Sequence, residues 1–166
     1  MAGSSKQSSS PSAHQVAGDA VASMKLDFEF ELDHLGVAVR SLQEGFQFYS
    51  ALGFRDMPTE EVPTEKVRVG FLDLGNQASI ELLEATAPDS PIQAFLDKRG
   101  PGIHHICLRV KNIDEIVARL KSKGVRLVNE TPRIGAHNCR VVFVHPAATG
   151  GVLLELSEPG LHAKKD

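Results

Sequence analysis

From residue 28 onward, apolar and polar positions fall into short alternating runs separated by helical stripes, and the pattern occurs twice. Leu32–Val39 alternates as a strand does, with His34, Gly36 and Ala38 on one face and Leu35, Val37 and Val39 on the other. Ser41, with Glu44 three residues on, forms a capping box for a helix. Leu42, Phe46, Tyr49 and Leu52 make its apolar stripe, and Gly53 ends it. Further strands are predicted over Phe54–Met57, Val67–Leu74 and Ala78–Glu84, the last two joined by a Gly75-Asn76 turn. In the connector 86–102, Asp89-Ser90-Pro91 marks a helix start for Ile92–Lys98. The order then returns. A strand over His104–Val110 leads to an Asn112 cap with Glu115 and a helix over Ile113–Lys123, with Ile116, Val117 and Leu120 inward and a stop at Gly124. Val125–Val128, Cys139–Val144 and Val152–Ser157 supply the remaining strands.

The copies align residue by residue. Leu32-Asp33-His34-Leu35-Gly36-Val37-Ala38-Val39 is answered by Ile103-His104-His105-Ile106-Cys107-Leu108-Arg109-Val110 at an offset of 71. Val67-Arg68-Val69-Gly70-Phe71-Leu72 is answered by Cys139-Arg140-Val141-Val142-Phe143-Val144. The predicted fold class is α+β: two tandem βαβββ modules, about 31–85 and 103–158, inside one domain spanning 28–160. Each module would present a curved mixed sheet with a helix behind it. Neither can cover both of its faces alone, so pairing the two would leave a cleft between the sheets.

Near its end each copy sets one carboxylate into an apolar run, Glu81 in Ile80-Glu81-Leu82-Leu83 and Glu155 in Leu154-Glu155-Leu156. A buried, unpaired carboxylate costs several kcal/mol or is forced to protonate. Two histidines and two glutamates facing one cleft resolve this by binding a divalent cation, since imidazole nitrogen and carboxylate oxygen are ordinary ligands for such ions. Parity selects the donors. His34 shares its face with the small residues Gly36 and Ala38, and His105 shares its face with Cys107 and Arg109. His104 falls on the other face, with Ile106, Leu108 and Val110, and reads as a structural or edge histidine. The metal candidates are therefore His34, Glu81, His105 and Glu155, and the competing explanation is a salt bridge from Arg109 or Arg140. Glu84 and Glu158, three residues beyond their partners, point to the opposite faces and read as solvent-exposed. His145, before Pro146, suits a cap. Arg68, Arg109 and Arg140 are open to two roles, holding a substrate carboxylate or lining a solvated face.

Composition narrows the function. The 166 residues are 42% hydrophobic and 23% charged, with a formal net charge of −3 and no long basic run, which argues against a nucleic-acid partner. No apolar stretch approaches a membrane span. Cys107 and Cys139 lack CxxC spacing and read as two buried thiols of a reducing compartment. Residues 1–27 are rich in Ser, Ala and Gly and read as a disordered tail, with 161–166 a short C-terminal one. The tail has no secretory apolar core and no arginine, so a cytoplasmic location is expected, or the mitochondrial matrix in a eukaryote. Met24 is a possible alternative start, and His14 and His162 read as solvated groups.

Taken together, these segments resemble the vicinal-oxygen-chelate superfamily, and within it the methylmalonyl-CoA epimerase family, over nearly all of residues 31–158. The first strand and Gly150-Gly151-Val152-Leu153-Leu154-Glu155-Leu156 are shared widely in the superfamily. Asp89-Ser90-Pro91-Ile92, His104-His105 and Ile134-Gly135-Ala136-His137 point to the epimerases. The resemblance implies cobalt, manganese or zinc held by His34, His105 and Glu155, with Glu81 completing the site where some epimerases have glutamine. It further implies an acyl-CoA thioester substrate, proton abstraction at C2 through a metal-stabilised enolate, and a homodimer. Glu65 in Pro63-Thr64-Glu65-Lys66-Val67 is similar to the glutamate that epimerases place before this strand, and so is one catalytic acid/base candidate. The offset of the adjoining strands carries Glu65 onto His137, which makes His137 the candidate for the opposite face, with Glu155 its competitor. The alternatives are a glyoxalase I-type lyase and a non-catalytic metabolite- or drug-binding protein of the same fold.

Overall fold

The computed structural model describes residues 26–160. The expectations for residues 1–25 and 161–166, including His14, Met24 and His162, lie outside the described residues. β1 (Glu31–Ala38) and β5 (Gly102–Arg109) are the equivalent first strands of the two repeats, and they pair antiparallel at the centre of one eight-stranded sheet. On the β1 side the sheet continues through β4 (Ser79–Ala85) and β3 (Val67–Asp73) to β2 (Thr59–Val62). On the β5 side it continues through β8 (Leu153–Glu158) and β7 (Arg140–Val144) to the two-residue β6 (Arg133–Ile134). β1 runs parallel to β4 and β5 parallel to β8, while the other pairs are antiparallel. The two βαβββ modules are thus as predicted, but they join edge to edge through β1 and β5 into a single curved mixed sheet.

Among the described residues three α-helices cover this sheet: α1 (Leu42–Leu52), α2 (Pro91–Arg99) and α3 (Ile113–Ser122). Leu42 of α1 packs with Val39, Leu72 and Leu82, and Ile113, Ile116 and Val117 of α3 pack with Val110, Val142, Val144 and Leu156. Each such side chain contributes roughly 1.5–3 kcal/mol relative to exposure. On the other face, Ala38, Val69 and Leu83 meet Ile92 and Leu96 of α2, so the connector helix closes one end of the space inside the curve. Among the described residues no helix is long and apolar enough to cross a membrane.

Several local expectations need correction. The strand predicted over Phe54–Met57 is at Thr59–Val62 instead, beyond Pro58, whose carbonyl accepts from Phe71 N. Met57 instead fills the space over Gly70. Val125–Val128 is not a strand; it touches β7 through a single bridge, Leu127 to Val144. Cys139 precedes β7 and is half-buried, whereas Cys107 is buried within β5. Leu52 is exposed, because the α1 stripe turns inward through Gly45, which lies close to Val39 and Leu82.

Two helix starts are capped by carboxylates from distant strands, against the solvated role expected of Glu84 and Glu158. Ser41 Oγ caps α1 by accepting from Glu44 N at 3.2 Å, as predicted, but Asn112 makes no side-chain cap for α3. Glu158 takes that role: its Oε1 accepts from Ile113 N at 3.2 Å, and Glu84 Oε2 accepts from Leu42 N at 2.6 Å in the other repeat. These glutamates are half-buried rather than solvated, each placed where the free N–H groups of a helix start attract negative charge.

Candidate metal centre and active-site cleft

Alternation along the strands sends His34 from β1, Glu81 from β4, His105 from β5 and Glu155 from β8 to the same face of the sheet, where all four are buried. Among the described residues the only other buried polar side chains are Ser90 and Ser157. The four lie on the floor of a cavity of about 110 Å³, walled by Val69, Leu83, Val141 and Phe143 and by the loop 135–139.

His34 Nε2 lies 3.0 Å from His105 Nε2 and 3.6 Å from Glu155 Oε2, and His105 Nε2 lies 3.1 Å from Glu155 Oε2. Metal bonds of about 2.0–2.2 Å in tetrahedral or octahedral arrangement put donor atoms roughly 2.8–3.6 Å apart. The triangle therefore fits one divalent cation through its donor chemistry and spacing alike. Glu81 reaches the same cluster from the other side of the His34 ring, with Oε1 3.4 Å from Nδ1. The competing salt-bridge explanation fails: Arg109 pairs with Asp33 and Glu31, and Arg140 with Asp114 and Glu158. Arg68 likewise pairs with Glu61 and Glu84, and none of these arginines lines the cleft.

The electrostatics of the cluster follow from crowding. Burial would raise the Glu155 carboxyl, but hydrogen bonds from His105 and His34 outweigh it and bring the pKa down to about 2. Burial dominates at Glu81 and, with the nearby carboxylates only partly offset by His34, pushes it up to about 7. Burial also opposes charge on His34, yet contacts with Asp33, Cys107, Glu155 and Glu81 hold the imidazole well above its ordinary range. His104, half-buried against Phe95, approaches His105 with Nδ1 to Nδ1 at 2.9 Å, and burial together with His105 lowers it to about 4.

Two neighbours of the cluster were missed in the sequence. Asp33 Oδ1 lies 3.2 Å from His34 Nδ1, while its Oδ2 accepts from Arg109 Nε at 2.6 Å. Cys107 stands opposite His34 in the β1/β5 register, and with Asp33 and His34 it makes a second group of clustered donor atoms. The adjacent carboxylate was visible in the chain; the cross-strand thiol needed the register.

Glu65, in the turn between β2 and β3, lines the cleft with Oε2 accepting from Arg133 Nη2 at 3.0 Å. Its Oε1 is buried without a hydrogen bond, having only an ion-pair contact to Arg133 Nε at 2.8 Å. Burial raises this carboxyl, Arg133 opposes the rise, and the charge of Glu155 adds to it. His137 borders the same cleft from the opposite module, though its ring is exposed. It stacks on Phe71 with centroids 4.3 Å apart, and its backbone N–H donates to the Glu60 carboxylate at 3.1 and 3.3 Å. His145 Nδ1 accepts from Ala147 N, the expected cap.

The family model described as the glyoxalase/bleomycin resistance protein/dioxygenase superfamily matches residues 33–143. The mitochondrial methylmalonyl-CoA epimerase of Bos taurus is 42% identical over 129 residues, covering 76% of this chain and 73% of that one. The crystal structure of methylmalonyl-CoA epimerase from Mycobacterium tuberculosis is 40% identical, with a TM-score of 0.77 over 84% of this chain and 95% of that one. A methylmalonyl-CoA epimerase solved in complex with methylmalonyl-CoA and NH4+ is 34% identical, with a TM-score of 0.71 over 78% and 94% of the two chains.

Proposed function

The chain belongs to the glyoxalase/bleomycin resistance protein/dioxygenase superfamily, and we propose that within it the protein is a metal-dependent epimerase that interconverts (2R)- and (2S)-methylmalonyl-CoA. The observation that carries this reading is the buried triangle of His34, His105 and Glu155 at the floor of a cleft that also receives a glutamate with an unbonded oxygen. His34, His105 and Glu155 would hold the divalent cation, and Glu81, which meets His34 at Nδ1, would complete the set by turning toward that triangle. When bound, the cation supplies Lewis acidity that stabilises negative charge developing on the thioester.

The remaining chemistry falls to the chain's own side chains. The C2 proton between a carboxylate and a thioester is weakly acidic, so its removal needs a positioned base. The Glu65 carboxylate takes that proton, and the electron pair left behind spreads into the thioester carbonyl, making C2 planar. Inversion then requires a proton delivered to the opposite face. His137, on the other module, is the donor in this reading, and Glu155 is its competitor. One proton leaves and one returns, with no change of oxidation state. The apolar wall of Val69, Leu83 and Val141 limits water around the planar carbon.

An acyl-CoA substrate is supported by the relatives' activities. The homodimer belongs to the same proposal, as does a cytoplasmic or mitochondrial-matrix site of action, for which the mitochondrial bovine relative is the support. The test of the reaction is C2 proton exchange of methylmalonyl-CoA in deuterated water, with chelator and metal add-back. Metal-dependent deuterium uptake accompanied by interconversion of the epimers is expected. Absence of exchange in metal-loaded protein overturns the reading and directs attention to methylglyoxal hemithioacetal as substrate.

A further inference from the structure

Arg133 lies in β6, at one end of the strand order, and Glu65 follows β2, at the other. Their side chains nevertheless meet through both carboxylate oxygens, with Nε–Oε1 at 2.8 Å and Nη2–Oε2 at 3.0 Å. The Arg133 guanidinium also sits over the ring of Phe143, 5.7 Å from its centroid, and Phe143 in turn meets His105 edge-on at 5.8 Å. Arg133 itself is not among the side chains that line the cleft.

We propose that Arg133 is a positioning residue for Glu65, its guanidinium fork holding both carboxylate oxygens from one side so that the carboxylate faces the cleft with its charge balanced. This rests on the reading of Glu65 as an acid/base. A guanidinium is planar and always charged, so it sets both the direction and the charge of the carboxylate it grips. The cation–π contact with Phe143 steadies the guanidinium in turn and links the position of Glu65 to the ring that meets His105 edge-on. The other charged groups around Glu65 do not substitute for it. Glu155 repels its charge, Glu60 is engaged with His137, and Lys66 is turned to Asp89.

The test is steady-state kinetics of epimerisation across pH for metal-loaded wild type, Arg133→Gln, Arg133→Lys, Glu65→Gln and the Glu65→Gln/Arg133→Gln double variant. Arg133 is about half-exposed, and circular dichroism verifies that its variants are folded. Arg133→Gln is expected to lower kcat at least tenfold with KM within threefold, and to move the acid limb of the kcat/KM profile upward by about one pH unit. Arg133→Lys, which restores charge without the fork, should return the limb toward wild type while kcat stays reduced. In the Glu65→Gln background the Arg133 change should have no further effect on kcat. The proposal is overturned if Arg133→Gln leaves kcat and the acid limb unchanged, or if it lowers kcat equally with and without Glu65. A fully active Glu65→Gln enzyme identifies a different failure, that of the acid/base reading itself.

Discussion

Gly36 stands opposite His105 across the central strand pair, and a Cβ at position 36 would lie 2.2 Å from Cε1 and 2.7 Å from Nε2 of the imidazole. The repeat-equivalent residue of the other module is Cys107, which stands opposite His34. The absence of a side chain at 36 is therefore a requirement of the metal centre. A Gly36→Ala protein should fold, since β1 tolerates alanine backbone geometry, but its His105 ring must move. We expect metal affinity to fall roughly 10–100-fold, the size of effect seen when a ligand's support is disturbed. Calorimetric titration with zinc, manganese and cobalt measures this, and wild-type affinity would rule out the steric argument.

Metal loading should release protons. Metal-free His34 is held above its ordinary pKa by the surrounding carboxylates, so at neutral pH it carries a proton that must leave before Nε2 can bind a cation. Glu155, at about 2, is already ionised, while Glu81, at about 7, releases a further fraction. Affinity should thus weaken as pH falls, and calorimetry in buffers of different protonation enthalpy should count at least about one proton released per metal at pH 7. A heat independent of buffer contradicts this.

The Asp33–Arg109 pair ties the first strand of one repeat to that of the other. Burial opposes ionisation of Asp33, yet hydrogen bonds to His34 and Arg109 outweigh it and hold its pKa below the ordinary value. The stability this contributes is present above the unfolded pKa, about 3.9, and is lost as pH falls through the folded value. Arg109→Gln should cost about 1–2 kcal/mol at pH 7 in metal-free protein, a figure reduced for the partial exposure of both groups. The gap between variant and wild type should close below about pH 4 in urea titrations.

Glu84 and Glu158 cap equivalent helices of the two repeats. Replacing either by alanine leaves a helix-start N–H without its acceptor and should cost about 1 kcal/mol, or a few degrees of melting temperature. Glu158→Ala should be the more harmful, since it also breaks a 2.8 Å hydrogen bond from Arg140, whereas Glu84 holds Arg68 only through a 3.7 Å ion-pair contact. Scanning calorimetry of the two variants, singly and together, tests the size and order of these effects.

If His137 serves the face opposite Glu65, His137→Ala should still exchange the C2 proton of one epimer with solvent while inversion slows by about 10²-fold or more. Comparing deuterium uptake with epimer interconversion for each isomer separates the two events. Unaltered inversion removes His137 from the mechanism and leaves Glu155 as the second group.

Much of this centre was legible because a period of two leaves no choice of face. Once His34 and Glu81 or His105 and Glu155 occupied buried strands, their side chains had to point into the curve of the sheet, and the repeat brought the two pairs together. Helix starts were legible where the cap is local, as at Ser41 and Ser90. They were misread where the acceptor comes from a distant strand, as with Glu158 for α3. The pairing of Arg133 with Glu65 was beyond reach for the same reason. They are 68 residues apart, and only the curl of the sheet brings them into contact. Thr59–Val62 escaped because four residues carry too little alternation to be told from a polar loop.

The curl has a consequence for the protein among other molecules. A sheet with open ends exposes unpaired backbone groups that can recruit a strand from another chain, the first step of intermolecular β assembly. Here the end strands are only four and two residues long, both carry charged side chains, and they are drawn toward each other by Glu65–Arg133 and Glu60–His137. The contacts that draw the two ends of the sheet together therefore also leave an incoming strand only a short, charged template, so the same few side chains guard the protein against association through its edges.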